Sequence, residues 1–279
     1  MPIPAKAVKL KHMLRIAHCP VALTIAGSDS GGGAGVQADL KTFAAFGVHG
    51  ASAITCLTAQ NPRRVLAMEL CSPRMLRRQI EAVFEELHPA AVKTGMLFSA
   101  ENVRVIAGFF KKGRHPLLVV DPVMISTSGI MLLQPAAIKI LKERLLPSAM
   151  LVTPNLHEAE VLIGEKITTV ENMRAAARKI HARFGCAALV KGGHLPDVCE
   201  AVDIFFDGRT ELLLAAPFIK SVRTHGTGCT YSAAITAALA LGCHLPKAVE
   251  LAKNYITQAI ARSYRVGNHS GLNHFGGMK

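Results

Sequence analysis

The sequence predicts an α/β fold that is doubly wound, with a mostly parallel central sheet, helices on both faces and an antiparallel hairpin late in the chain. Three observations support this prediction. Short apolar segments recur without alternating polar positions, which is typical of parallel strands buried on both faces. Segments with helical signals lie between them. Late in the chain, Asp207-Gly208 separates two apolar segments, as in a hairpin.

The predicted strands are short and rich in apolar residues on both faces. They cover residues 21–26, 51–57, 91–94, 117–120, 150–152 and 187–190. The hairpin pairs residues 202–206 with residues 211–214. In such sheets, ligands bind where the parallel strands end. Polar and glycine-rich clusters that directly follow these strands are therefore the candidates for a functional site.

The predicted helices follow recognisable start and stop residues. Ser72-Pro73, Ser99 and Thr169 are typical of helix starts, and Gly185 is typical of a helix end. The helices cover residues 75–87, 101–112, 169–184, 230–241 and 246–264. This regular alternation of strands and helices, without linkers or repeats, predicts one domain over residues 21–279.

Composition limits the class of protein. Half of the 279 residues are hydrophobic and 18% are charged, as expected of a globular protein with a large core. No apolar segment reaches the roughly 18 residues that a transmembrane helix needs, so we expect no membrane partner. The seven cysteines are scattered, without a CxxC pair, which disfavours a disulfide framework or zinc ribbon. A reducing compartment, the cytoplasm, fits best.

The chain is strongly basic, with a net charge of +13, and therefore attracts anions. A nucleic-acid partner is not expected, because tryptophan is absent and aromatic residues make up only 5% of the chain. Residues 1–20 contain four basic residues and no acidic one. We expect a basic, disordered N-terminal extension, or an upstream start codon with Met13 as the true start.

A glycine-rich segment, residues 27–35, follows the first predicted strand and begins a helix. Glycines at this position allow a ligand to approach the backbone closely. Residues 33–38 also match the dinucleotide pattern GxGxxA, but the second strand ends without the acidic residue that would bind a ribose. A substrate-binding loop, a tight turn and a dinucleotide loop all remain open from these residues alone.

A second glycine-rich turn, residues 225–230, precedes a helix. Its free N–H groups suit a phosphate, and Cys229 in the first helical turn is expected to have a lowered pKa because of the helix dipole. The alternatives are a simple cap with a buried thiol, or a hydrolase pair of Cys229 with His225.

Four further polar residues lie shortly after predicted strands. Asn155 and Glu158 suit either a magnesium site or a capping box. Lys191 precedes two glycines and can reach a phosphate or lie on the surface. Asp121 can bind Mg²⁺ or cap a loop. Together with the two glycine-rich segments, these residues suit phosphoryl transfer, which depends on positioning and charge neutralisation.

In this order, the motifs resemble the ribokinase-like superfamily and, within it, the hydroxymethylpyrimidine/phosphomethylpyrimidine kinases of thiamine biosynthesis. The resemblance extends from about residue 21 to the end. The motifs are ALTIAGSD (22–29), GAGVQADLKTF (33–43), TAQN (58–61), KTGM (93–96), DPVM (121–124), TPNLHEA (153–159), KGGH (191–194), THGTGCT (224–230) and GLNHF (271–275).

The resemblance implies two successive phosphorylations with MgATP, first of 4-amino-5-hydroxymethyl-2-methylpyrimidine and then of its monophosphate, by a homodimer. The implied substrate-binding residues are Gly27, Asp39, Gln60 and Met96. The implied nucleotide-binding residues are Asn155, Lys191, Thr227 and Gly228. Glu158 and Asp121 are the candidate metal ligands. The implied catalytic residues are Cys229, Lys191, Gly226 and Gly228.

Two features of the motifs bear on substrate and mechanism. Many ribokinase-like enzymes have Asp where this chain has Cys229, which would take the alcohol proton in the first step. Gln60 favours the pyrimidine over vitamin B6, because B6-specific relatives tend to lack it. A pyridoxal or pyridoxine kinase is the nearest alternative, followed by a non-catalytic pyrimidine-binding protein and an NAD dehydrogenase.

Overall fold

The central sheet has nine strands among the residues that the computed structural model describes, which are 18–111, 116–124, 132–193, 195, 200–219 and 225–275. The strands are β1 (Val21–Asp29), β2 (His49–Asn61), β3 (Arg64–Leu70), β4 (Ala91–Thr94), β5 (Leu117–Val120), β6 (Leu151–Val152), β7 (Ala187–Lys191), β8 (Glu200–Phe206) and β9 (Glu211–Pro217). Their order in the sheet is β3-β2-β1-β4-β5-β6-β7-β8-β9. The six strands from β2 to β7 in this order are parallel.

Helices cover both faces of the sheet. They are α1 (Gly35–Ala45), α2 (Pro73–Glu86), α3 (Ala100–Phe110), α4 (Pro135–Ile140), α5 (Leu156–Ile163), α6 (Val170–Phe184), α7 (Thr227–Ala240) and α8 (Leu245–Ala261). Residues of α1, α7 and α8 form one core with the sheet, and residues of α2 to α6 form another. A short two-stranded ribbon, β10 (Tyr264–Val266) and β11 (His269–Gly271), follows α8.

Alternate residues of the central strands enter opposite cores. In β1, Ala22 packs with the core of α1, α7 and α8, whereas Leu23 and Ile25 pack with the core on the other face. All three side chains are fully buried. Burial on both faces explains why these strands are continuously apolar in sequence, and it confirms the predicted doubly wound fold.

The hairpin is confirmed as β8 and β9, which pair antiparallel around Asp207-Gly208. One strand of the central sheet was not predicted. β3 pairs antiparallel with β2 at the edge of the sheet and is largely exposed. Residues 65–68 are apolar, but no helical segment separates them from β2, and Pro62-Arg63 is not a dipeptide typical of a hairpin turn. The predicted last helix is also shorter, because α8 ends at Ala261 and the ribbon begins at Tyr264.

Other sequence expectations concern the chain as a whole. Residues 1–17 lie outside the described residues, so the basic extension stays a prediction; His194, Cys199 and Thr224 also lie outside them. The six cysteines in the described part are free thiols. None of the described helices is both long and apolar enough to cross a bilayer.

Candidate active site

The predicted Asp121 and Lys191 lie where parallel strands end, at the carboxyl ends of β5 and β7. Asp29, which was not predicted as a site residue, lies at the carboxyl end of β1 on the same edge of the sheet. The glycine-rich segment 27–35 leads from β1 into α1. The N-terminus of α7 reaches the same edge. Gly226 contacts Gly33 in the loop after β1, and Gly228 lies beside Asp121 and Lys191, at the ends of β5 and β7.

Asp121 is the centre of one polar cluster. Its Oδ1 accepts hydrogen bonds from Lys191 Nζ at 3.2 Å and from Thr153 Oγ1 at 3.3 Å, and its Oδ2 accepts one from Ser232 Oγ at 3.1 Å. A Cβ on Gly228 would lie 3.3 Å from Lys191 Nζ and 3.7 Å from Asp121 Oδ2. The structure therefore brings the predicted Lys191, Asp121 and Gly228 together. The first turn of α7 faces a cation there, as a phosphate site requires.

The positive charge of Lys191 and the negative charges of Asp121 and Glu158 stabilise one another. Burial works against the positive charge of Lys191, but Asp121 and Glu158 outweigh it and raise the pKa of Lys191 above its usual value. Burial raises the pKa of Glu158, and Lys191 opposes that effect. A charged lysine between two carboxylates is held in place before any phosphate binds, which is the preorganisation that phosphoryl transfer uses.

Gly226 joins the two glycine-rich segments. Its φ is +86°, in the left-handed region that favours glycine. A Cβ at this position would lie 1.8 Å from the carbonyl oxygen of Gly33. Only glycine fits between the two backbones. The turn that begins α7 and the loop that follows β1 are therefore in direct contact.

Glu158 has a structural role that its sequence left open. Asn155 Oδ1 accepts a hydrogen bond from the Glu158 N–H, and Glu158 Oε2 accepts one from the Asn155 N–H, both at 2.9 Å. These two bonds form a capping box at the start of α5. Glu158 Oε1 also accepts a hydrogen bond from the Met124 N–H at 3.1 Å. The capping box is confirmed, and metal binding by Glu158 stays a prediction.

The carboxylates at this edge fit a magnesium ion that arrives with a nucleotide. No group of three or more His, Cys, Asp or Glu residues in the described part of the chain could hold a metal. Magnesium commonly uses one or two carboxylates and takes its remaining ligands from phosphate oxygens and water. Asp121 and Glu158, both buried beside Lys191, match that pattern.

The expectation that Cys229 has a lowered pKa was wrong. Burial raises the pKa of the Cys229 thiol to about 11, although the Lys93 ammonium and the N–H of Gly35 act in the opposite direction. A local motif shows the helix dipole but not the depth of burial, and here burial has the larger effect.

The residues predicted to bind substrate lie around the loop after β1. A Cβ on Gly27 would lie 2.5 Å from Met96 Cε and 2.9 Å from Cys56 Sγ, so these three residues are in contact. Gln60, at the end of β2, places its amide 2.9 Å from Nε2 of His225. Of these predicted residues, Gln60 lies next to the turn that begins α7, and Gly27 and Met96 contact each other at the end of β1.

Comparison with known proteins decides the family. The family model of phosphomethylpyrimidine kinase matches residues 29–274. The chain belongs to the phosphomethylpyrimidine kinase family. The hydroxymethylpyrimidine/phosphomethylpyrimidine kinase of Rhizobium meliloti is 51% identical over 248 residues, which cover 88% of this chain and 92% of that protein. The enzyme of the same name from Synechococcus elongatus is 45% identical and covers 92% of this chain and 97% of its own length.

Other relatives of this kinase include a longer bifunctional protein and proteins of known structure. The thiamine biosynthesis bifunctional protein of Geobacter sulfurreducens is 48% identical over 90% of this chain, which spans only 51% of that longer protein. Among solved structures, phosphomethylpyrimidine kinase from Clostridium difficile has 47% identity and a TM-score of 0.77, covering 86% of this chain and 99% of that one. An ADP complex of Bacillus subtilis pyridoxal kinase has 37% identity and a TM-score of 0.84, covering 92% and 98%.

Asp39 is fully buried in this kinase, whereas its predicted role in substrate binding suggests a carboxylate that a ligand can reach. Asp39 has no exposed surface. Its Oδ2 accepts a hydrogen bond from Thr24 Oγ1 at 2.6 Å, and its Oδ1 pairs with Lys93 Nζ at 2.6 Å. Asp39 thus lies beneath the cleft, and its contact with substrate stays a prediction.

Lys93 was not singled out in the sequence, although it is fully buried below Cys229 and paired with Asp39. Burial lowers the pKa of Lys93, but the Asp39 carboxylate raises it and prevails, so the ammonium stays charged. A signal was available, because Lys93 is a charged residue inside a fully buried four-residue strand. Buried charges of this kind are rarely found without a partner.

Replacing Lys93 by methionine is expected to destabilise the kinase by about 3–5 kcal/mol, because it leaves Asp39 buried without its counter-charge. Urea unfolding of Lys93→Met would measure the loss. Lys247→Met is the matched control, since the Lys247–Glu250 pair is exposed and should contribute little. Combining Lys93→Met with Asp39→Asn should restore part of the stability; a Lys93→Met variant as stable as the wild type would contradict the expectation.

Proposed function

We propose that this kinase transfers the γ-phosphoryl group of MgATP to the 5-hydroxymethyl group of 4-amino-5-hydroxymethyl-2-methylpyrimidine, and then phosphorylates the monophosphate to the diphosphate, in thiamine biosynthesis. One observation carries the proposal: Lys191, Asp121 and the α7 N-terminus adjoin the loop after β1 through the contact of Gly226 with Gly33. That loop in turn contacts Gln60 through Ser30, and Gly27 at its start contacts Met96. The names of the relatives at 45–51% identity support the same substrates.

The nucleotide would be bound mainly through its phosphates. The backbone N–H groups of Thr227 and Gly228 lie in the first turn of α7 and suit the transferred phosphoryl group, which Lys191 would neutralise. Asn155 lies at the neighbouring strand end as a further nucleotide contact. Mg²⁺ bound with ATP would neutralise phosphate charge, with Asp121 and Glu158 as the carboxylates that hold it directly or through water.

The pyrimidine would be recognised by its hydrogen-bonding edge and its ring face. A glutamine amide offers one acceptor and donors side by side, which match an exocyclic amine next to a ring nitrogen. Gln60 therefore suits the 4-amino group and the adjacent ring nitrogen. Met96 and the backbone at Gly27 would pack against the ring, where a side chain larger than glycine would meet Met96.

The first phosphorylation needs a base for the alcohol, and Cys229 is the candidate. Below a thiol pKa of about 11, the thiolate fraction rises about tenfold per pH unit. The rate of the first step should therefore rise by about 100-fold from about pH 7 to 9, since only the thiolate accepts the proton. The second step should depend less on pH, because the attacking phosphate oxygen is already ionised.

Cys229→Ala is expected to slow the first step by about 100-fold and the second by much less. Single-step assays with each pyrimidine would measure both effects, with Cys243→Ala as the control at the opposite end of α7. Equal losses in both steps, or a wild-type rate for the first step that does not change with pH, would show that Cys229 is not the base.

A second candidate function is supported by the structural neighbours. Pyridoxal kinase from Staphylococcus aureus, solved with AMP-PCP and pyridoxal, has 32% identity and a TM-score of 0.83. A coupled MgATP assay that offers hydroxymethylpyrimidine, its monophosphate and pyridoxal separately would distinguish the candidates. Turnover of both pyrimidines would support the proposal. Turnover of pyridoxal alone would assign the chain to vitamin B6, and turnover of none would favour a non-catalytic binder.

The cytoplasmic location and the homodimer remain proposals. The free cysteines are compatible with a reducing compartment. Light scattering of the purified kinase would test the dimer.

A further inference from the structure

His225 directly precedes the turn that begins α7, and its ring contacts residues at the ends of β1 and β2. Its Nε2 is 3.1 Å from Oδ2 of Asp29, at the end of β1, and 2.9 Å from the terminal amide nitrogen of Gln60, at the end of β2. The backbone of the next residue, Gly226, rests against Gly33. The His225 ring is thus held beside the contact that joins the two glycine-rich segments.

The hydrogen bonds around His225 identify the atom that must carry the hydrogen. Burial raises the pKa of Asp29, but hydrogen bonds from His225 and from the N–H groups of Gly31 and Ala34 outweigh burial and lower it. The Asp29 carboxylate is thus ionised and can only accept. His225 Nε2 must donate to it, and a ring nitrogen that donates cannot also accept from the Gln60 amide nitrogen.

Thr58 determines whether the other end of the Gln60 amide donates or accepts a hydrogen bond. Its Oγ1 donates its one hydrogen to the carbonyl oxygen of Ser28 at 2.7 Å, and lies 3.3 Å from Gln60 Oε1. Thr58 Oγ1 can therefore only accept from Gln60. A half-turn of the amide exchanges its oxygen and nitrogen, which places Oε1 towards His225 and Nε2 towards Thr58. The single N–H of His225 Nε2 is then shared between Asp29 Oδ2 and Gln60 Oε1, and Gln60 Nε2 donates to Thr58 Oγ1, so no two donors or two lone pairs face each other.

We propose that His225 and Thr58 are positioning residues that fix which end of the Gln60 amide is the acceptor, and thereby set the preference for a 4-amino over a 4-oxo pyrimidine. With the amide in this orientation, one lone pair of Oε1 and one hydrogen of Nε2 remain for a ligand. The inference rests on the proposed function, in which Gln60 contacts the pyrimidine edge.

The chemistry of the two pyrimidines explains the preference. A 4-aminopyrimidine presents an N–H donor beside a ring-nitrogen acceptor. Its 4-oxo analogue presents a carbonyl acceptor beside a ring N–H donor, which is the reverse pattern at nearly the same size. An amide that turns freely would accommodate both. An amide that is held in one orientation leaves the 4-oxo analogue with two mismatched polar pairs, and such mismatches are strongly rejected.

The test compares kcat/KM for hydroxymethylpyrimidine and for its 4-oxo analogue in four proteins: the wild type, His225→Leu, Thr58→Val and His225→Gln. The wild type is expected to prefer the amino compound by at least about 100-fold. His225→Leu and Thr58→Val should each reduce this ratio by about tenfold or more. His225→Gln keeps an N–H donor at the same reach and should retain most of the ratio.

The outcomes separate this inference from the proposed function. If the variants lose activity on both compounds equally and the ratio stays unchanged, His225 and Thr58 serve only structure and the inference is wrong. A wild type that uses both compounds equally also overturns it. A wild type that phosphorylates neither compound overturns the proposed function itself. Thr58→Val leaves the α7 turn intact, so a reduced ratio in that variant cannot be attributed to damage at the phosphate site.

Discussion

Replacing Lys191 by methionine is expected to lower kcat by about 100- to 1,000-fold, the usual loss when a preorganised group that stabilises transition-state charge is removed. Lys191 is the cation that faces the first turn of α7, 3.3 Å from where a Cβ on Gly228 would lie. Methionine keeps much of the side-chain volume but cannot neutralise a transferred phosphoryl group. The loss should be in kcat more than in KM for the pyrimidine, which we propose binds on the other side of the site.

Steady-state kinetics with varied MgATP and varied pyrimidine would measure both constants. Lys179→Met is the matched control. Lys179, on α6, forms an exposed ion pair with Glu165, so its replacement should leave kcat unchanged. Removing Lys191 also leaves Asp121 with less charge compensation, so thermal unfolding should accompany the kinetics. A folded Lys191→Met enzyme with kcat within about threefold of the wild type would contradict a role in phosphoryl transfer.

The Gly226→Ala variant is expected to lose at least about 100-fold in kcat/KM, because a methyl group would lie 1.8 Å from the Gly33 carbonyl oxygen and force the two loops apart. The positive φ adds about 1–2 kcal/mol of backbone strain for any residue with a Cβ. The displaced turn would misplace the N–H groups that face the phosphate.

Two further glycine variants distinguish a local effect from misfolding. Gly228→Ala adds its methyl group between the α7 turn, Lys191 and Asp121 without a positive φ, so it should weaken MgATP binding and leave the fold intact. Gly108→Ala is the neutral control, because nothing lies within 4 Å of a Cβ at that helical position. Near-wild-type activity of Gly226→Ala would mean that the contact between the loops is dispensable.

Most of the fold could be predicted because its central strands are buried on both faces and therefore stand out as apolar segments. β3 could not, because neither a helical segment nor a typical hairpin dipeptide separates its apolar residues from β2. The residues of the site could be predicted where they directly follow strands, as Asp121 and Lys191 do. The partners of His225 could not, because Asp29 and Gln60 are brought to it only by the order of strands in the sheet. Neither could the burial that raises the pKa of Cys229.

The contact between Gly226 and Gly33 also has a thermodynamic consequence. In the proposed function one loop faces the nucleotide and the other faces the pyrimidine, so a backbone shift of either loop on ligand binding would change the conformational free energy of both. A ligand that shifts this contact would alter the dissociation constant at the other subsite, and linkage requires the same factor in both directions. The contact between Gly226 and Gly33 would then couple the binding of the two co-substrates before any phosphoryl group moves.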